Sequence, residues 1–174
     1  MIHLKQTSAK FYLSGLAALN LPSPSGSGDW HFQSVFSENG YTRGFYAGIG
    51  AEINTNSLYE SNGIEECSQA LKNLGIEFDG DEAYAATHPR AIADLLADTL
   101  HRGRQANFIV LDDWLNETQD LLKLNLLLDK LSNNLTAAQL RLLEDCRTVE
   151  AIDLYKTRGI LDYEGASAHL LGRV

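Results

Sequence analysis

Two cysteines, three prolines and one methionine are all that 174 residues contain of those types. Each scarcity removes a class of protein. Cys67 and Cys146 form neither a C-x-x-C pair nor any zinc-ligand spacing, which leaves no basis for a metal module. A chain of this length buries roughly 70% of its unfolded surface and needs no staple to fold. Basic charge is also scarce. Fourteen Lys and Arg stand against 23 Asp and Glu, a net charge of −9. A grip on nucleic-acid backbone needs clustered Lys and Arg, so no direct nucleic-acid partner is expected. No apolar run reaches the ~18 residues of a membrane span, and Met1 to Gln6 leads into no apolar leader core. A soluble, cytoplasmic protein is the expectation. No repeat of the ~20–50-residue kind is visible, which argues against a solenoid.

The chemical signatures are missing in the same way. Gly26-Ser-Gly28 and Gly48-Ile-Gly50 both begin a G-x-G, but the third glycine of a dinucleotide fingerprint is replaced by His31 and Ile53. No phosphate-loop or nucleophile-elbow pattern occurs. A twelve-residue calcium loop aligned on Gly80 would need acids where Gly75 and Ala86 stand. His3, His31, His88, His101 and His169 include no H-x-x-x-H pair. Neither a metal nor another cofactor is therefore expected. Cys67 and Cys146 both lie on expected apolar helix stripes, where buried thiols are inert.

What is present reads as one α+β domain spanning 1–174: β-leaning over 1–58, helical over 61–158, mixed over the tail 159–174. The expected architecture is a short antiparallel β-hairpin or sheet region in the first third, packed on a bundle of about four helices. Leu21-Pro-Ser-Pro-Ser-Gly-Ser-Gly28 is the clearest loop. Asp29 to Phe36 alternates as an aromatic-rich strand, and Asn39-Gly40 supplies a tight turn. Thr42 to Ile53 follows as a second strand with glycines at 44, 48 and 50, which mark a bulge or close backbone approach. Ser61 or Asn62 caps an expected helix carrying Ile64, Cys67, Leu71 and Leu74, ended by Gly75. Thr87-His88-Pro89 opens a further helix with Ile92, Leu95, Leu96 and Leu100 on its buried stripe. Arg90, Asp94, Asp98 and Arg102 recur every fourth position and are expected as ion pairs on its opposite, solvated face. Asp112 or Asp113 caps a helix to about Leu131, and Thr136 caps a last one with Leu140, Leu143, Cys146 and Val149 inward.

The helix ending at Leu131 is apolar over roughly two thirds of its circumference, so it is either central in the core or shared with a partner. Trp114, Leu121, Leu124 and Leu128 are its candidate interface residues. A second cluster combines Asp29, Trp30 and His31: an acid, an aromatic platform and a titratable ring beside the Pro/Ser/Gly loop. His88 and Arg90 flank a helix start, a geometry suited to an anion. Asp29, His31 and His88 are the candidate catalytic groups; Trp30 and Arg90 are the candidate ligand-binding groups.

Charge is uneven. Residues 1–60 hold three basic and four acidic side chains, whereas 61–174 hold eleven and nineteen. An acidic helical part points to an interaction domain for a basic partner protein, in concrete form a bacterial antitoxin- or immunity-type neutralising protein. Self-association through the leucine helix is the related alternative. From a different class comes a small enzyme or ligand-binding domain acting on a phosphate-bearing compound through Asp29, His31, His88 and Arg90, with Trp30 stacking on a ring.

Overall fold

The computed structural model describes residues 3–23, 46–106 and 110–149. The expected strand at Asp29–Phe36, the turn at Asn39-Gly40 and the tail after residue 149 lie outside the described residues. What is described is an α+β fold, with two small sheets spanning residues 3–86 packed against helices from residue 88 onward.

The first sheet pairs β1 (His3–Leu4) in parallel with β5 (Glu77–Phe78). The second has four strands: β2 (Phe11–Leu13), β3 (Tyr46–Gly48), β4 (Ile64–Glu66) and β6 (Tyr84–Ala86). Their spatial order is β3-β2-β6-β4. β2 runs antiparallel to β3 but parallel to β6, and β4 runs antiparallel to β6. Both sheets thus contain parallel pairs and draw on strands up to residue 86, beyond an antiparallel hairpin confined to the first third. Gly48 closes β3 at φ +106°, with its Cα so near Lys10 that a Cβ would sit 2.0 Å from the Lys10 carbonyl oxygen. Only glycine fits there, the close approach that a glycine inside a strand announces.

Side chains alternate across this sheet and separate two cores. Tyr12 and Ala86 face the larger cluster; Leu13 and Ala85 face the smaller one with Leu4, Leu71 and Ile76. Leu71 comes from α3 (Ser68–Asn73). The larger cluster is built on α4 (His88–His101), α5 (Thr118–Ser132) and α6 (Ala137–Val149), with α1 (Gly15–Leu19) and α2 (Asn56–Tyr59) at its margins. Burying Ile92, Leu96, Leu100, Leu124, Leu128, Leu131 and Leu143 together contributes about 1.5–3 kcal/mol for each side chain.

Several boundaries depart from the sequence reading. The expected helix over 61–75 is a strand followed by a helix. The Glu66 carboxylate accepts the Ser68 backbone N–H at 2.7 Å, so helical turns start only at Ser68. α5 begins at Thr118 rather than at 112 or 113, where Leu111–Asp113 forms a 3-10 turn. α4 starts where Thr87-His88-Pro89 places it, and α6 is capped as expected. Thr136 and Gln139 form a reciprocal capping box, with Thr136 N–H donating to Gln139 Oε1 at 2.9 Å. No helix among the described residues is long and apolar enough to cross a membrane.

The Arg90–Asp94 pair is the largest correction. The two side chains are paired, Nε to Oδ1 at 3.0 Å, but both are fully buried rather than solvated. Ala93 and Ala97 lie on the same side of α4 and are buried too. Their small side chains let that face approach its neighbours.

Candidate functional site

The start of α4 organises the region where sheet and helices meet. Arg90 lies between the rings of Tyr12 and Tyr59, its guanidinium carbon 5.3 and 4.8 Å from their centroids. Its five N–H groups are all used. Nε donates to Asp94; Nη1 donates to the carbonyls of Glu60 at 3.2 Å and Asn62 at 2.6 Å. Nη2 donates to Tyr12 Oη at 2.6 Å and Thr55 Oγ1 at 3.1 Å. Asp94 in turn accepts from Tyr12 at 3.1 Å, Ser14 at 2.8 Å and Thr55 at 2.5 Å. A buried charge pair is tolerable only when its remaining donors and lone pairs are satisfied, and this one meets that condition. Burial pushes the Tyr12 and Tyr59 phenols well above their ordinary range, with the Asp94 charge adding to it, so both stay neutral and Tyr12 keeps the proton it donates to Asp94.

His88, two residues before Arg90, is buried and held between two backbone carbonyls. Nδ1 is 3.2 Å from the Trp114 oxygen and Nε2 is 3.0 Å from the Leu21 oxygen. The ring meets Trp114 edge-on at 6.2 Å. His88 thereby ties the start of the Pro/Ser/Gly loop to the approach of α5.

A cleft of about 500 Å³ opens beside it. β4 and β6 contribute Glu65, Glu66, Ala85 and Ala86; Thr87 and His88 follow from β6 into α4. Leu21, Pro22 and Ser23 form one wall, and Asp120 and Lys123 of α5 another. Lys123 donates to Asp120 at 2.9 Å, so the lining keeps an excess of carboxylates. Bonding to Ser68 holds the exposed Glu66 carboxyl below its ordinary range. Cys67 lines the same cleft, but burial, with a smaller push from Glu66, raises its thiol to about 12. The thiolate that nucleophilic attack requires is therefore disfavoured near neutrality.

The expected site residues separate accordingly. His88 lines the cleft. Arg90 lies behind it, with every donor committed inside the protein. Asp29, Trp30 and His31 lie outside the described residues. Of the proposed interface, Leu121, Leu124 and Leu128 are covered by the chain's own core at 5, 0 and 0% exposure, and Trp114 packs partly buried against it. The exposed leucines of α5 are Leu122 and Leu126, at 43 and 65%. Among the described residues no group of three or more His, Cys, Asp and Glu could hold a metal ion.

The acidic surface is also placed differently. α5 and α6, residues 118–149, carry four acidic and four basic side chains. Residues 52–82 carry eight acidic side chains and one basic one, Lys72. Acidity belongs to the strands, turns and short helices around β4, α3 and β5, not to the long helices. Whole-domain sums hid this; a running count over shorter windows would have found it. Glu65, Glu66, Asp120 and Lys123 of the cleft had no sequence signal, because tertiary contact alone assembles them.

Compared with protein-family models, curated proteins and solved structures, the chain matches none.

Proposed function

We propose that this chain is an acidic protein-binding domain for a basic partner protein, acting as an antitoxin- or immunity-type neutralising partner. The observation that carries the reading is the charge of residues 52–82, eight carboxylates against Lys72, beside a cleft lined by Glu65, Glu66 and Asp120. Opposite fields of this kind speed encounter and select partners by sign. The committed donors of Arg90 weigh against a phosphate-bearing ligand, since an anion gains nothing from a guanidinium whose five N–H groups are already paired.

The test is a pull-down from the native host with the whole chain as bait, eluted by rising salt. A captured protein of net positive charge that leaves as ionic strength increases is the expected result. Capture only of acidic proteins, or retention indifferent to salt, overturns the reading.

A further inference from the structure

β4 is the last strand of its sheet among the described residues. The backbone bonds around it fix which of its groups point outward. Thr87 N–H donates to Gly63 O at 2.8 Å and Cys67 N–H donates to Ala83 O at 2.7 Å. An antiparallel ladder alternates, so between those two bonds Glu65 faces its partner Ala85. Ile64 and Glu66 then turn their main-chain groups away from the sheet. The Ile64 N–H is taken by Ser61 O at 3.2 Å. The Ile64 carbonyl and the Glu66 N–H and carbonyl remain along the edge, spaced as a fifth strand would need them.

From this edge we infer that the partner's contact is an extended basic segment that adds to β4 as a further strand, with basic side chains meeting Glu65 and Glu66. The inference rests on the basic-partner reading and names where and how the partner binds. Strand addition takes affinity from main-chain bonds and specificity from alternate side-chain sites. Directly opposed residues share a face of the sheet. A side chain opposite Glu66 therefore falls on the α4–α5 face, where the cleft holds Asp120. One opposite Glu65 falls on the α3 face. Both glutamates are exposed, so a lysine or arginine in either phase meets a carboxylate. The same pair repels a second copy of this edge, which selects a basic strand over self-pairing.

The experiment measures binding of a short peptide alternating lysine and valine to the whole, unaltered chain by calorimetry. Two comparison peptides are used: one N-methylated at alternate backbone positions with the same charge, the other with glutamate in place of lysine. Amide shifts at residues 64–67 are followed by NMR. The lysine peptide is expected to bind and to move those amides. N-methylation is expected to weaken it about tenfold or more, since two lost main-chain bonds act together. The glutamate peptide is expected not to bind. Equal affinity for the N-methylated peptide, or shifts confined elsewhere, overturns strand addition while leaving the basic-partner reading in place. No binding by any peptide overturns strand addition too, and the salt-eluted pull-down then decides the wider reading separately. Glu65→Lys in the protein gives a second measurement; it is expected to weaken the lysine peptide, and unchanged affinity counts against the proposed contact.

Discussion

Arg90 shows how a side chain can be legible in identity and illegible in placement. Its spacing to Asp94 is visible in the sequence, and the i,i+4 pair forms as expected. Nothing in that spacing says which way the pair faces, because the same period serves a solvated face and a buried one. The clue was Ala93 and Ala97, whose small side chains let α4 pack on a second side. The acceptors Tyr12, Thr55, Glu60 and Asn62 come from distant segments, and only the fold joins them. Asp94→Ala removes the compensating charge and strands Ser14, Tyr12 and Thr55 as well. It is expected to cost roughly 3–5 kcal/mol, read as a lower urea midpoint or loss of the folded state. Arg90→Met combined with Asp94→Leu is expected to stay destabilised, because the buried Tyr12, Ser14 and Thr55 hydroxyls would lose the carboxylate they donate to. Near-native stability of the double variant would show that the charges, not the network, set the cost.

At the scale of elements, the sequence was clearest where end signals agreed with periodicity. Thr87, Pro89 and Gly103 bracket α4, and the Thr136–Gln139 box opens α6. It was least clear where short elements abut. Ile64, Cys67, Leu71 and Leu74 fit one helical stripe, yet a three-residue strand is too short to show its own alternation and β6 claims it as a partner. The β1–β5 pairing was invisible for the same reason: two-residue strands leave no pattern. This small sheet carries a pH-dependent contact. His3 Nε2 lies 2.6 Å from Asp79 Oδ1 and Nδ1 lies 3.6 Å from Glu77. The bond to Asp79 holds the imidazolium above its ordinary range. A raised folded pKa stabilises the fold at low pH and loses that contribution as pH rises through the folded value. His3→Gln is therefore expected to lower the thermal midpoint at about pH 5.5 and to leave it little changed at about pH 8.5. The ring is exposed, so added salt should shrink the effect at low pH. A difference that grows with pH would reverse the assigned sign.

For the whole molecule, the distribution of apolar and charged surface argues about company. α5 reads as a helix wrapped in leucine, and the structure spends most of that surface inward: Leu121, Leu124, Leu127, Leu128 and Leu131 are all core. The outer face keeps Leu122 and Leu126 among Gln119, Lys123, Asp129 and Lys130, all exposed. Two leucines set among charges fall well short of the roughly 800 Å² per partner that a specific dimer buries. Self-association through this face is therefore expected to be absent at micromolar concentration, and light scattering should return the mass of one chain. Leu122→Glu with Leu126→Glu is expected to leave both that mass and the unfolding midpoint nearly unchanged, within about 0.5 kcal/mol for each exposed site. Leu124→Glu on the opposite side should unfold the domain, since it places a carboxylate in the core. A dimer mass that the outer double substitution abolishes would overturn this, and would make the exposed leucines, rather than the acidic β4 edge, the principal contact of the molecule.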